Sequence, residues 1–199
     1  MKLFDRILAS RGLDGRAIQK FLSPNYESLH DPFLLPDMKL AVDRLIKAKD
    51  AQEKITVYGD YDIDGLTATA LILESLKQFG FKNVDYIIPS RFEDGYGLSI
   101  ESVERIAGDG TKLILTVDCG SLSEKEIIRA NELGVDVIVT DHHTVAEKQP
   151  PAVAVINPKR PDNKYPFIDL AGVGVAFRLV QAMQQKMSGF DLGQEKWLL

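Results

Sequence analysis

From Ile55 onward the chain alternates between short apolar runs and longer stretches with helical spacing. ITVYG (55–59), rich in β-branched and aromatic residues, predicts a strand. Beyond an acidic loop, LTATALILESLKQFG (66–80) repeats apolar residues at helical intervals and stops at Gly80. The unit recurs in VDYIIPS (84–90), in KLILTVDCG (112–120) leading to SEKEIIRANELG (123–134), and in VDVIVTDHH (135–143), with AVAVINP (152–158) as a further strand. A last helix is predicted over 173–187, after the small-residue turn AGVG. Unbroken apolar strands read as buried on both faces, so the pattern predicts an α/β fold: a mostly parallel β-sheet with helices on both faces and right-handed crossovers.

The first fifty residues differ. Helical stretches are predicted at 15–22 and 37–49, separated by SPNYESLHDPFLLP, in which Pro24, Pro32 and Pro36 break any longer helix. The expected organisation is therefore a short helical N-terminal segment (1–50) and an α/β domain (51–199), without internal repeats.

Composition narrows the chemistry. At 199 residues and 45% hydrophobic content the chain can bury one sizeable core. It has no apolar run of membrane-spanning length, and its opening lacks the apolar stretch of a secretory signal, so a soluble, cytoplasmic protein is expected. Cys119 is the single cysteine, which rules out an internal disulfide and a Cys-rich zinc site. A net charge of −5 weighs against a broad basic surface coating duplex DNA. It leaves nucleic acid open as a substrate, because carboxylates gathered around cations lower the formal charge of a site that attracts phosphate once loaded.

Three predicted strands end alike: ITVYG in Asp60, LILTV in Asp118, and VIVT in Asp141, His142 and His143. In open parallel sheets, ligands bind outside the carboxyl ends of the strands, so these groups are expected to converge. Crowded carboxylates repel unless divalent cations neutralise them, and carboxylate with imidazole suits Mn2+ or Mg2+, with Zn2+ also open. Each residue taken singly has a plainer reading. Asp64 before Gly65 could cap the following helix, Asp118 could be a turn residue, and the histidines could be ordinary loop residues. DYDIDG also resembles the opening of an EF-hand calcium loop. There, however, the twelfth position requires a bidentate Glu where this chain has Leu71, and the loop follows a strand instead of a helix.

YGDYDIDGLTATA, TVDCG and VTDHH resemble, in order, the first three motifs of the DHH phosphoesterase superfamily. VYGDYDIDG, IPSRFEDGYGLS and LAGVGVAFRL resemble its RecJ branch of single-stranded-DNA-specific exonucleases, from about Phe21 to the C-terminus. The resemblance implies a site for two ions of Mn2+ or Mg2+. Asp62 and Asp64 would each face one ion, Asp118 would bridge them, His142 would ligate the second, and Asp60 would be an additional or supporting ligand. His143 would contact the phosphoryl oxygens, with Asp141 orienting the histidine pair. Family II pyrophosphatases carry a histidine where this chain has Tyr58, which leaves the first ion's ligands least defined.

Two cations about 3.5–4 Å apart clamp the attacking and leaving oxygens of an in-line displacement, with water as the nucleophile. The implied activity is 5′ to 3′ exonucleolytic hydrolysis of single-stranded DNA in repair and recombination, with no membrane partner and with protein partners undefined. Two alternatives stand beside it: a phosphodiesterase for short oligoribonucleotides or cyclic dinucleotides, and a non-catalytic replication scaffold. In RFEDGYGLS, Arg91 could hold a phosphate, and the resemblance implies that Gly95, Tyr96 and Gly97 would lie near the nucleic-acid path, although the segment also reads as an ordinary flexible loop. The AGVG amides could receive an anion, although small-residue packing explains them equally. The superfamily's fourth motif, an aspartate on a later strand, has no match at Asp162, Asp169 or Asp191. The chain is thus expected to be partial, lacking the smaller substrate-gripping domain, with weak metal binding and little turnover.

Overall fold

The computed structural model describes residues 3–23, 25–90 and 97–190. The chain divides into two compact units, Met1–Asp31 and Pro32–Leu199. The first contains helices α1 (Leu3–Ser10) and α2 (Gly15–Leu22) and a 3-10 turn, Tyr26–Ser28. Helix α1 is not anticipated by the sequence pattern. Its Leu8 is buried while Leu3, Phe4 and Ile7 are exposed.

In the second unit, a 3-10 turn (Pro32–Leu34) precedes helix α3 (Met38–Asp50), which buries Met38, Ala41, Val42 and Leu45. The sequence pattern sets a boundary at residue 50; the compact unit begins at Pro32 and takes α3 with it, packed against a strand and a helix of the α/β body. The strands are β1 (Ile55–Tyr58), β2 (Val84–Ile87), β3 (Leu113–Val117), β4 (Asp136–Thr140) and β5 (Ala154–Ile156). They pair in the order β2-β1-β3-β4-β5, every pair parallel.

Four helices complete the unit: α4 (Ile63–Gln78), α5 (Ile100–Gly108), α6 (Glu124–Glu132) and α7 (Gly172–Gln184). Helix α4 packs on α7, which also contacts α3, and both α4 and α7 lie on the sheet; α5 packs on α6. The α/β expectation holds. Strands β1 and β3 are buried throughout, as unbroken apolar runs demand.

The expectation fails for β2. It is an edge strand, paired among the described residues only with β1, and its Asp85 and Tyr86 are exposed. Helix α5 is likewise not anticipated; the Ser99 side chain caps it by accepting from Ser102 N, and Val103 and Ile106 anchor it in a core with Ile114, Ile127 and Val139. The strict alternation of strand and helix breaks once. Between β4 and β5 no helix intervenes, and that connection carries both histidines.

The strand order places a crossing of chain direction beside β1. The first connection steps from β1 to β2, and the next returns across β1 to β3. Such a reversal opens a crevice at the carboxyl ends of β1 and β3. No helix among the described residues is long and apolar enough to cross a membrane.

Candidate metal centre

Asp60 and Asp62 follow β1, Asp118 follows β3, and Asp141, His142 and His143 follow β4, so all six stand at one edge of the sheet. Asp60 is 2% exposed, and its Oδ1 accepts from Tyr61 N at 2.8 Å. Burial, with the neighbouring charge of Asp62, pushes its carboxyl above the ordinary range. Close packing holds this turn: a Cβ on Gly65 would lie 2.6 Å from the Asp60 backbone nitrogen and oxygen. Asp62 is the N-cap of α4, with Oδ1 accepting from Asp64 N at 2.8 Å and Gly65 N at 3.0 Å. The capping role that the sequence offers to Asp64 thus falls to Asp62.

Asp64 caps a different helix. Its Oδ2 accepts from Gly172 N at 2.6 Å and its Oδ1 from Val173 N at 2.7 Å, at the start of α7. The anion that the AGVG amides receive is a carboxylate of the chain itself.

Asp118 adopts the left-handed conformation, φ +62°, which non-glycine residues rarely hold without a compensating constraint. Its amide donates to Thr140 O at 2.9 Å, and the turn is tied by Thr116 Oγ1 donating to Cys119 O at 2.8 Å. The side chain is 1% exposed, and neither oxygen has a hydrogen-bond partner among the described residues. Burial first, then the charges of Asp64 and Asp62, push its carboxyl up to about 8. A buried acid whose oxygens accept no hydrogen bond is costly, which favours a ligand at this position.

His142 Nε2 lies 3.1 Å from Asp118 Oδ1 and 3.6 Å from Asp64 Oδ2. Two groups of donor atoms come close enough to share an ion: Asp60, Asp62 and Asp118, and Asp118, His142 and His143. Asp118 belongs to both. Oxygen and imidazole donors around one shared, buried carboxylate fit a pair of hard or borderline divalent cations.

Asp141 is built differently. Its Oδ1 accepts from His142 N at 2.7 Å, His143 N at 3.1 Å and the His143 ring Nδ1–H at 2.8 Å, while Oδ2 accepts from Ser121 N at 2.9 Å. Burial would raise this carboxyl, but hydrogen bonds from His143 and Ser121 outweigh it and hold it at about 2. The same bond to Asp141 raises the His143 imidazole above its ordinary value. Ser121 and Asn157, which sequence reasoning does not single out, complete the support: Asn157 Nδ2 donates to Ser121 Oγ at 2.8 Å and to His143 O at 3.0 Å. Polar residues in loops carry no period that could mark them.

Beside His143 lies a pocket of about 230 Å³, walled by Leu98, Leu122, Ser123 and Glu126. Gly97 borders it with φ +79°, and its carbonyl accepts from the buried Tyr58 hydroxyl at 3.0 Å. Arg91, Gly95 and Tyr96 lie outside the described residues. Asp162 is engaged by Arg160 at 2.7 Å and Asp169 is exposed, while Asp191 is outside the described residues.

Residues 54–197 match the family described as "DHH family, N-terminal domain". The chain belongs to the DHH family. It is 43% identical over 178 residues to the single-stranded-DNA-specific exonuclease RecJ of Bacillus subtilis, covering 89% of this chain and 22% of that protein. The RecJ of Haemophilus influenzae is 42% identical over 184 residues, covering 92% of this chain and 32% of its own length. Among solved structures, an exonuclease RecJ bound to manganese superposes with a TM-score of 0.67 at 40% identity, over 76% of this chain and 38% of that one. The chain therefore spans roughly a fifth to a third of the length of these curated relatives. Asp141-His142-His143 reads DHH and lies within the matched residues.

Proposed function

We propose that this chain supplies the cation centre of a soluble, cytoplasmic phosphoesterase that hydrolyses single-stranded DNA as a 5′ to 3′ exonuclease. The observation that carries the reading is Asp118: a buried carboxylate, without a hydrogen bond among the described residues, shared between two donor clusters. Asp60, Asp62 and Asp118 would hold one ion of Mn2+ or Mg2+, and Asp118 with His142 the other, Asp64 contributing from the α7 side. Bound cations would neutralise phosphate charge and polarise the bond to be broken. With its Nδ1–H committed to Asp141, His143 would present Nε2 to the phosphoryl oxygens, and its raised pKa favours the protonated, charge-stabilising form. Asp141, held near pKa 2, stays ionised and fixes the ring.

The choice of single-stranded DNA is supported by relatives above 40% identity that are named for that substrate. The comparisons lend no support to the oligoribonucleotide or scaffold alternatives. The test is a substrate panel in Mn2+, run on the full-length protein with DNA labelled at either end. Release of mononucleotides from the 5′ end of long single strands is expected; cleavage confined to dinucleotides would reject the substrate assignment.

A further inference from the structure

Asp64 is held from a distant helix. Both of its oxygens accept backbone amides from a segment 108 and 109 residues further along the chain, at the first turn of α7. The leading N–H groups of a helix have no partner within it, and Ala171, the N-cap residue of α7, has no side chain that can accept them. Asp64 takes that role, and its charge meets the positive end of the helix dipole.

The same turn meets Asp118. A Cβ built on Gly172 would stand 2.3 Å from Asp118 Oδ1 and 2.6 Å from its Cγ, closer than any side chain tolerates. Gly172 therefore gives a donor to one carboxylate and room to another. That room is where Asp118 Oδ1 lies, a buried oxygen with no hydrogen bond among the described residues, an independent sign that a ligand belongs here. Gly174, two residues on, has no such neighbour: its Cβ would meet Leu170 Cδ2 at 3.4 Å and Cβ at 3.6 Å, ordinary contacts.

We propose that the first turn of α7 is a positioning element of the cation centre. Gly172 and Val173 fix Asp64 through their amides, and the absent side chain at 172 lets Asp118 present both oxygens to a cation. Neither residue touches the ion; both act through the carboxylates. Each Asp64 oxygen accepts one amide and keeps a lone pair for a cation, so capping and ligation are compatible. The ligand cage is thereby set before any ion arrives, and the cost of crowding Asp64 against Asp118 is offset by α7.

The inference rests on the two-cation reading above. Its test is calorimetric titration of the chain with Mn2+, comparing wild type, Gly172→Ala and Gly174→Ala. Removing a ligand's support typically weakens metal affinity by about 10- to 100-fold, and that loss is expected for Gly172→Ala, with Gly174→Ala matching wild type. Equal affinity for wild type and Gly172→Ala overturns the inference and leaves the cation reading standing, whereas no binding by wild type brings down both. Should Gly172→Ala fail to fold by circular dichroism, hydrogen exchange in wild type decides. The Gly172 and Val173 amides are expected to be protected with and without Mg2+. Exchange as fast as in an unstructured chain in the Mg2+-loaded protein overturns the inference.

Discussion

Two aspartates at neighbouring strand ends, Asp118 and Asp141, are driven in opposite directions by their surroundings. Asp118, desolvated and flanked by Asp64 and Asp62, is raised to about 8; Asp141, despite its burial, is lowered to about 2 by the groups that donate to it. The consequences for the metal-free protein have opposite signs. Between the ordinary carboxylate range and pH 8, the folded state holds a proton on Asp118 that the unfolded chain has lost, so stability falls as pH rises through that window. Asp141 contributes stability above the ordinary range that is lost as pH falls towards 2. Asp118→Asn removes the first dependence. Denaturant melts should show variant and wild type alike near pH 4 and the variant more stable by a few kcal/mol near pH 8, with Mn2+ binding abolished. Asp141→Asn should return the His143 titration, followed by NMR, towards its ordinary value. An unchanged His143 would separate that imidazole from Asp141. The acids themselves are legible as residues that end apolar runs, and the resemblance assigns them roles. Ser121 and Asn157 are not legible, because only the fold brings them to the DHH turn.

At the scale of elements, the strands that carry the site can be read correctly because their burial leaves a plain mark: every position of β1 and β3 is apolar or a buried threonine. Misreadings come where partners decide. Strand β2, at the edge of the sheet, exposes one residue on each face, Asp85 and Tyr86, and α5 escapes notice because its apolar anchors are few. Tight packing between elements also escapes a linear pattern. Gly65 sits in the first turn of α4, where the helix closes on the end of β1, and a methyl there would collide with Asp60 backbone atoms. Gly65→Ala should cost about 1–3 kcal/mol or more in a denaturant melt. Gly108, at the end of α5, is the control, since a methyl added there would meet nothing within 4 Å. Gly108→Ala should gain about 0.4–1 kcal/mol. Equal effects at both positions would refute the packing account.

For the whole molecule, the decisive fact is the order β2-β1-β3-β4-β5, which sets the ends of β1, β3 and β4 side by side. Periodicity announces a parallel sheet but not which strands are neighbours; convergence is an expectation from the general behaviour of such sheets and from the family resemblance. The structure supplies distances: His142 Nε2 at 3.1 Å from Asp118, with Asp60 and Asp62 in a second cluster around the same carboxylate. A crystal of the chain grown with Mn2+, with anomalous scattering recorded at the manganese edge, puts this centre to its most direct test. Peaks in contact with Asp118, flanked by Asp62 on one side and His142 on the other, are the predicted result; manganese bound only elsewhere, with Asp118 still unliganded, would contradict it.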